Sequence, residues 1–112
     1  MRIAIPVFQG TLSLHFGHCD QFAIVDVDSE TERISEIRMM AAPAHEPGAL
    51  PRWLNEQDVK LVTAGGMGRR AQMLFTDSGI DVLVGAPVES AEEVVKMYLQ
   101  GTLQTGANIC DH

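Results

Sequence analysis

Hydrophobic positions fall into short runs whose period changes along the chain. The apolar, β-rich run from Arg2 to Phe8 predicts a strand over 2–8, with Pro6 marking an edge, an end or a bulge. Residues 9–18 carry Gly10 and Gly17 and read as a loop. Residues 21–28 alternate as a strand requires: Phe22, Ile24 and Asp26 face one way, Ala23, Val25 and Val27 the other. Ser29, Glu30, Thr31 and Glu32 make a polar turn, and a strand over 33–41 returns with Ile34, Ile37 and Met39 carrying most of its apolar surface. So short a polar link implies an antiparallel hairpin.

Beyond residue 41 the period becomes helical. Pro43 and Pro47 exclude regular structure across 42–48, and a helix is expected from near Gly48, with Leu50, Trp53 and Leu54 on one face, ending before Asp58. A strand over 59–64 leads into Gly65, Gly66, Met67 and Gly68, then into a helix from about 68 to 78. Ala71, Leu74 and Phe75 take helical spacing there, Met73 sits at the edge of that face, and Gly79 closes the helix. Residues 80–86 predict a strand of buried type. Ser90 and Glu93 form a capping box for a helix that carries Val94, Val95, Met97, Tyr98 and Leu99 and stops at Gly101. The stretch 102–112 reads as irregular. An antiparallel hairpin followed by alternating strands and helices is an α/β pattern. One domain over 1–112 is expected, a mixed five-stranded sheet flanked by helices.

Composition narrows the function classes. A chain of 112 residues with 46% hydrophobic and 21% charged residues can bury a core and is not of disordered type. Eight Lys+Arg stand against 15 Asp+Glu, a formal net charge of −7, which argues against a nucleic-acid partner. No apolar run approaches the roughly 18 residues that span a bilayer, and the first residues lack the layout of a signal peptide. The expectation is a cytoplasmic protein without a membrane partner. Two cysteines, Cys19 and Cys110, are too few for a disulfide framework and read as free thiols, metal ligands or a redox pair.

Candidate chemistry gathers in the predicted loops. His15, His18 and Cys19 fall within five residues, and imidazole with thiolate is the usual donor set for zinc, copper or iron–sulfur centres. The alternative is a loop whose imidazoles bond the backbone while Cys19 packs as a small hydrophobe. His45 precedes Glu46, Pro47 and a helix start, and the tail holds Cys110 and His112; alone, each would be a solvated loop entry or an uninformative chain end. All four histidines and both cysteines nevertheless occupy just three such segments. Gly65, Gly66, Met67, Gly68 and Arg69, with Arg70, join a strand to a helix N-terminus, where N–H groups and positive charge suit an anion. They lack the Gly-Lys-Ser/Thr of a P-loop and the dinucleotide glycine spacing, and a plain tight turn with surface arginines is the competing account. Asp26 and Asp28 find no further carboxylate to share a metal. Met39, Met40, Met67, Met73 and Met97 read as core fillers.

Several of these stretches carry a family resemblance. His15-Phe16-Gly17-His18-Cys19 followed by Phe22, the Gly65-to-Gly68 turn with Ala71, the Gly79-Ile80 step and the ending from Tyr98 to Leu103 resemble the nitrogenase iron–molybdenum-cofactor biosynthesis family of NifX/NifB type. The resemblance covers nearly the whole chain. It implies a ribonuclease H-like fold and a place among small stand-alone proteins that carry or store metal–sulfur clusters, including the molybdenum–copper orange-protein type. It implies no nuclease activity, since a fold transfers no chemistry.

The leading expectation is a non-catalytic protein that binds a metal or an anionic metal–sulfur cluster of iron, molybdenum or copper. His15, His18, Cys19, His45, Cys110 and His112 would ligate it directly or donate from around it, and the turn from Gly65 to Arg69 would supply N–H groups. A cluster-delivery protein is the expected partner. Two alternatives stay open: a mononuclear zinc or iron site of structural or regulatory purpose, and a small hydrolase or redox enzyme built on Cys19 and Cys110.

Overall fold

The computed structural model describes residues 1–13, 20–28, 30–41 and 49–101. Its elements run β1 (Arg2–Phe8), β2 (Thr11–Leu12), β3 (Gln21–Asp28), β4 (Arg33–Ala41), α1 (Ala49–Glu56), β5 (Leu61–Thr63), α2 (Arg69–Asp77), β6 (Asp81–Leu83) and α3 (Ala91–Gln100). The sheet has six strands in the order β4-β3-β1-β5-β6, with β2 paired to β1 off that path. β3 and β4 are antiparallel to their neighbours, while β1, β5 and β6 run parallel. The α/β class with a mixed sheet and flanking helices is as expected from the sequence. The count of five strands is corrected to six.

The extra strand comes from a tight hairpin. Gln9 and Gly10 both take positive φ (53° and 89°) and pair Phe8 with Thr11 and Val7 with Leu12. Two consecutive positive φ values are what a two-residue turn of primed type needs. A two-residue strand is too short to show a period.

β1 is the central strand, yet Pro6 lies inside it. On one side β5 pairs only with Ile3 and Ala4; on that same side β2 takes up Val7 and Phe8. Pro6 falls in the interval, where its carbonyl accepts from the Ser13 N–H at 2.9 Å. A missing donor is tolerated where one neighbour has ended and the next is only beginning.

The alternation of β3 divides the core as its pattern predicts. Phe22 and Ile24 join Leu50, Leu54, Val62, Met67 and Phe75 under α1 and α2. Ala23, Val25 and Val27 join Ile3, Ile5, Val94 and Val95 under α3. The Phe22 and Trp53 rings meet tilted, with centroids 5.7 Å apart, an arrangement that adds to plain area burial. Among the described strands β4 and β6 are the outer ones. β6 is accordingly half-buried rather than of buried type, with Asp81 exposed and Val82 and Leu83 partly covered. In β4, Ile37 and Met39 stay exposed, and so does Met73 of α2; only Met67 among the methionines is fully enclosed. The expectation that the methionines fill the core therefore fails for Met39 and Met73.

Helix ends follow their local chemistry. The Ser90 hydroxyl accepts from the Glu93 N–H at 3.2 Å, the capping half of the box expected there, and Gly101 closes α3 at φ 72°. Among the described residues no helix is long and apolar enough to cross a membrane.

Candidate metal-cluster site

Topology gathers several chain reversals at the carboxyl ends of the parallel strands. Ser13 N–H bonds Pro6 O at 2.9 Å and Asp20 N–H bonds Val7 O at 3.0 Å, so the chain leaves and re-enters the segment 14–19 beside the end of β1. Val7 pairs with Gln21, and Gln21 with Ala41. The segment 42–48 therefore starts from the same row of the sheet. α1 then leads back to the opposite end, where Lys60 N–H bonds Arg2 O at 3.0 Å.

The turn after β5 completes this edge. Ala64 N–H bonds Leu83 O at 2.9 Å, and Gly85 N–H bonds Gly65 O at 2.9 Å, tying the glycine turn to the end of β6. Gly65, Gly66 and Met67 are buried, Gly68 is half-buried, and Arg69 and Arg70 are exposed. Gly68 is the N-cap of α2 and, having no side chain, offers no capping bond; no acidic residue occupies the first turn. α3 begins at the same edge but differs, since Ser90 caps it and Glu92 and Glu93 occupy its first turn. Of these two helix starts, α2 is the one with neither a side-chain cap nor an acidic first turn, so the positive end of its dipole is not offset by its own residues. A crevice outside the carboxyl ends of parallel strands, where connections diverge to either side, is the usual ligand position in open α/β sheets. Here β1 is that divergence point, with β3 on one side and β5 on the other.

The residues singled out from sequence divide sharply. His15, His18 and Cys19 lie in 14–19, His45 in 42–48, and Cys110 and His112 in 102–112, all outside the described residues. Gly65, Gly66, Met67, Gly68 and Arg69 are described and form the turn just set out. Among the described residues, no group of three or more His, Cys, Asp or Glu side chains could hold a metal ion. Asp26 and Asp28 have structural work instead. Asp26 accepts from Arg2 Nε at 2.6 Å, and this bond holds its carboxyl below the ordinary Asp range. Asp28 Oδ1 accepts from the N–H groups of Glu30 and Thr31 at 2.8 and 3.3 Å, shaping the β3–β4 turn.

Hollows lined by described residues lie at the other end of the sheet. One of about 500 Å³ is bounded by Met1, Arg2, Asp26, Ser35, Asp58 and Lys60. Another of about 380 Å³ lies between the start of β4 and α3, near Ile34, Glu92, Lys96 and Leu99.

The family model described as "Dinitrogenase iron-molybdenum cofactor" matches residues 1–101. The chain belongs to the dinitrogenase iron–molybdenum cofactor family. An uncharacterised protein of Methanocaldococcus jannaschii is 32% identical over 107 residues, covering 93% of this chain and 90% of that protein. The crystal structure of PH0822 superposes with a TM-score of 0.83 at 32% identity, covering 95% of this chain and 96% of the other. The apo form of the orange protein from Desulfovibrio gigas superposes with a TM-score of 0.70 at 20% identity, covering 96% and 93%; that likeness concerns the fold. Membership in that family points to a binding or carrier role related to the iron–molybdenum cofactor.

Proposed function

We propose that the protein binds and carries an anionic metal–sulfur cluster, of iron, molybdenum or copper type, without catalysing a reaction on it. The cluster is cargo. His15, His18, Cys19 and His45 serve as its ligands or as donors around it, the turn from Gly65 to Arg69 supplies backbone N–H groups, and Cys110 and His112 contribute from the tail. Cargo of this kind implies a delivery protein as partner, and the domain spans 1–112 as a single ribonuclease H-like unit in the cytoplasm. The sheet order β4-β3-β1-β5-β6, with an antiparallel hairpin on one side of β1 and parallel strands on the other, supports that fold name.

One observation carries the reading. Both segments that hold the first three imidazoles and Cys19, 14–19 and 42–48, start from the strand row Val7–Gln21–Ala41, at the edge where α2 begins without a side-chain cap. Soft neutral and anionic donors near an electropositive helix start suit a cluster that is both metallic and negatively charged. The net charge of −7 makes such a local device necessary for an anion to stay. The tail starts from the far end of the sheet, since Tyr98 and Leu99 of α3 line a hollow with Met1 and Val27. Nine extended residues beyond Gly101 reach at most about 30 Å. That distance suffices to bring Cys110 back along a short strand.

Anaerobic purification with elemental analysis and a visible spectrum tests the proposal. The expected result is bound metal with cluster-type absorption, lost in the double variant His15→Ala/His45→Ala while the melting temperature of the metal-free protein stays unchanged. Metal stoichiometry unaffected by the double variant would reject these ligands. A colourless protein with one zinc or iron, whose removal by chelator lowers thermal stability, would replace carriage by a mononuclear structural site.

A further inference from the structure

Among the described residues β4 closes one side of the sheet, paired to β3 and to no strand beyond it. With nine residues it is also the longest described strand. A long open edge is a template for another strand unless something blunts it. On the face shared with α3, Ile37 and Met39 are 39% and 47% exposed. The opposite face carries Glu36, across from Asp26, and Arg38, across from Ile24. Glu36 is exposed. Arg38 is half-buried, and its Nε and Nη2 are enclosed with no acceptor among the described residues. Buried guanidinium N–H groups without acceptors are unfavourable and rare.

We propose that β4 pairs antiparallel with β4 of a second copy of this chain, about a twofold axis at Ile37. Ile37 is the midpoint of Arg33–Ala41, so the register that pairs the strand with itself over its full length sets Glu36 opposite Arg38 and Arg38 opposite Glu36. Directly opposed residues on one face stand about 4.5–5.5 Å apart at Cβ, within reach of an ion pair. Moving the axis to Glu36 would oppose two carboxylates, and moving it to Arg38 would oppose two guanidiniums. Charge therefore selects the same register that length selects. The second copy's Glu36 supplies the acceptor that Arg38 lacks, once that flexible side chain turns outward. At the axis Ile37 covers its own copy and Met39 flanks it. The irregularity between Asp26 and Val27, where Ser35 Oγ bonds Asp26 O at 3.1 Å, bends the first residues of β4. The matched segment is thus centred on 36–38, and the interface is isologous, as a closed dimer requires.

Sedimentation velocity on the full chain, near physiological salt so that the net charge is screened beyond about 8 Å, gives the test. The wild type is expected at twice its 12.2 kDa mass. Glu36→Arg alone and Arg38→Glu alone each oppose like charges and should sediment as monomers. Mixed with one another, the two variants should form a heterodimer, and the double exchange Glu36→Arg/Arg38→Glu should restore the homodimer. Ile37→Lys, at an exposed position that tolerates the change, should also be monomeric, with an unchanged circular dichroism spectrum. A monomeric wild type overturns the proposal. So do single variants and an Ile37→Lys variant that remain dimeric, or a double exchange and mixture that fail to associate. None of these outcomes bears on metal content.

Discussion

At the amino end of the parallel strands, polar groups are tied into the scaffold. Arg2 bonds Asp26 through Nε and the Gln57 carbonyl through Nη1, and the N-terminal amine bonds Val27 O at 3.0 Å. At the carboxyl end the chain does the reverse. The segments 14–19 and 42–48 leave from one row of the sheet, and α2 begins at a glycine that cannot cap it. The contrast separates a scaffold end, where groups satisfy one another, from an end where α2 starts without a side-chain cap. On the proposed function both are needed, since a region that serves a guest contributes little to stability before the guest arrives.

The comparison can be broken most forcefully in the core that joins the two ends. Phe75→Ala removes a fully enclosed ring beneath α2 and should cost about 3–5 kcal/mol in urea unfolding. Because α2 carries the glycine turn, this variant should lose metal uptake along with stability. If it kept full uptake at the temperature where it half unfolds, the turn would have no part in binding.

How much of this was legible depends on what each region uses to define itself. The strands over 2–8 and 21–28 follow from dense apolar runs because both of their faces are buried, whereas 33–41, mostly exposed, follows from the short polar link that returns the chain beside 21–28. Ser90 and Gly101 are legible because capping is local chemistry. β2 is not, since its signal is a pair of backbone angles at Gln9 and Gly10, and glutamine is no strong marker for a positive φ. The Arg2–Asp26 pair and the enclosed Arg38 depend on which strands become neighbours, which no single stretch encodes. His15, His18, Cys19 and His45 are proposed as donors on residue type alone, since no period in those stretches says where a side chain points, and they lie outside the described residues. The proposal that they converge rests on the strands that flank them.

A smaller test asks whether capping at the carboxyl end is structural or functional. Ser90→Ala should lower stability by about 1 kcal/mol and leave metal content unchanged, measured by thermal unfolding and elemental analysis on one preparation. Loss of metal at intact fold would move part of the site to α3.

The smallest effect belongs to the amino end. Because its bond to Arg2 depresses the Asp26 carboxyl, the stability this pair contributes is fully present above the ordinary Asp range and is lost as pH falls through the lowered value. Asp26→Asn should therefore be slightly less stable than wild type at neutral pH, with the gap closing below about pH 4. The pair is partly solvent-screened, so the difference should be a minor fraction of that for Phe75→Ala. Parallel melting curves from pH 7 to pH 3 would check it, and a gap that persists in acid would mean that the asparagine perturbs packing instead.

The position of β1 has a consequence for biosynthesis. It is made before the strands that flank it, yet it becomes the middle of the sheet, and Ile3 meets its parallel partner Leu61 only after the hairpin of β3 and β4 has been made. Until then one flank of the nascent sheet stays unsealed, a long-range closure that slows folding and exposes partly built chains to aggregation. Chains arrested before β5 should be the species that chaperones hold.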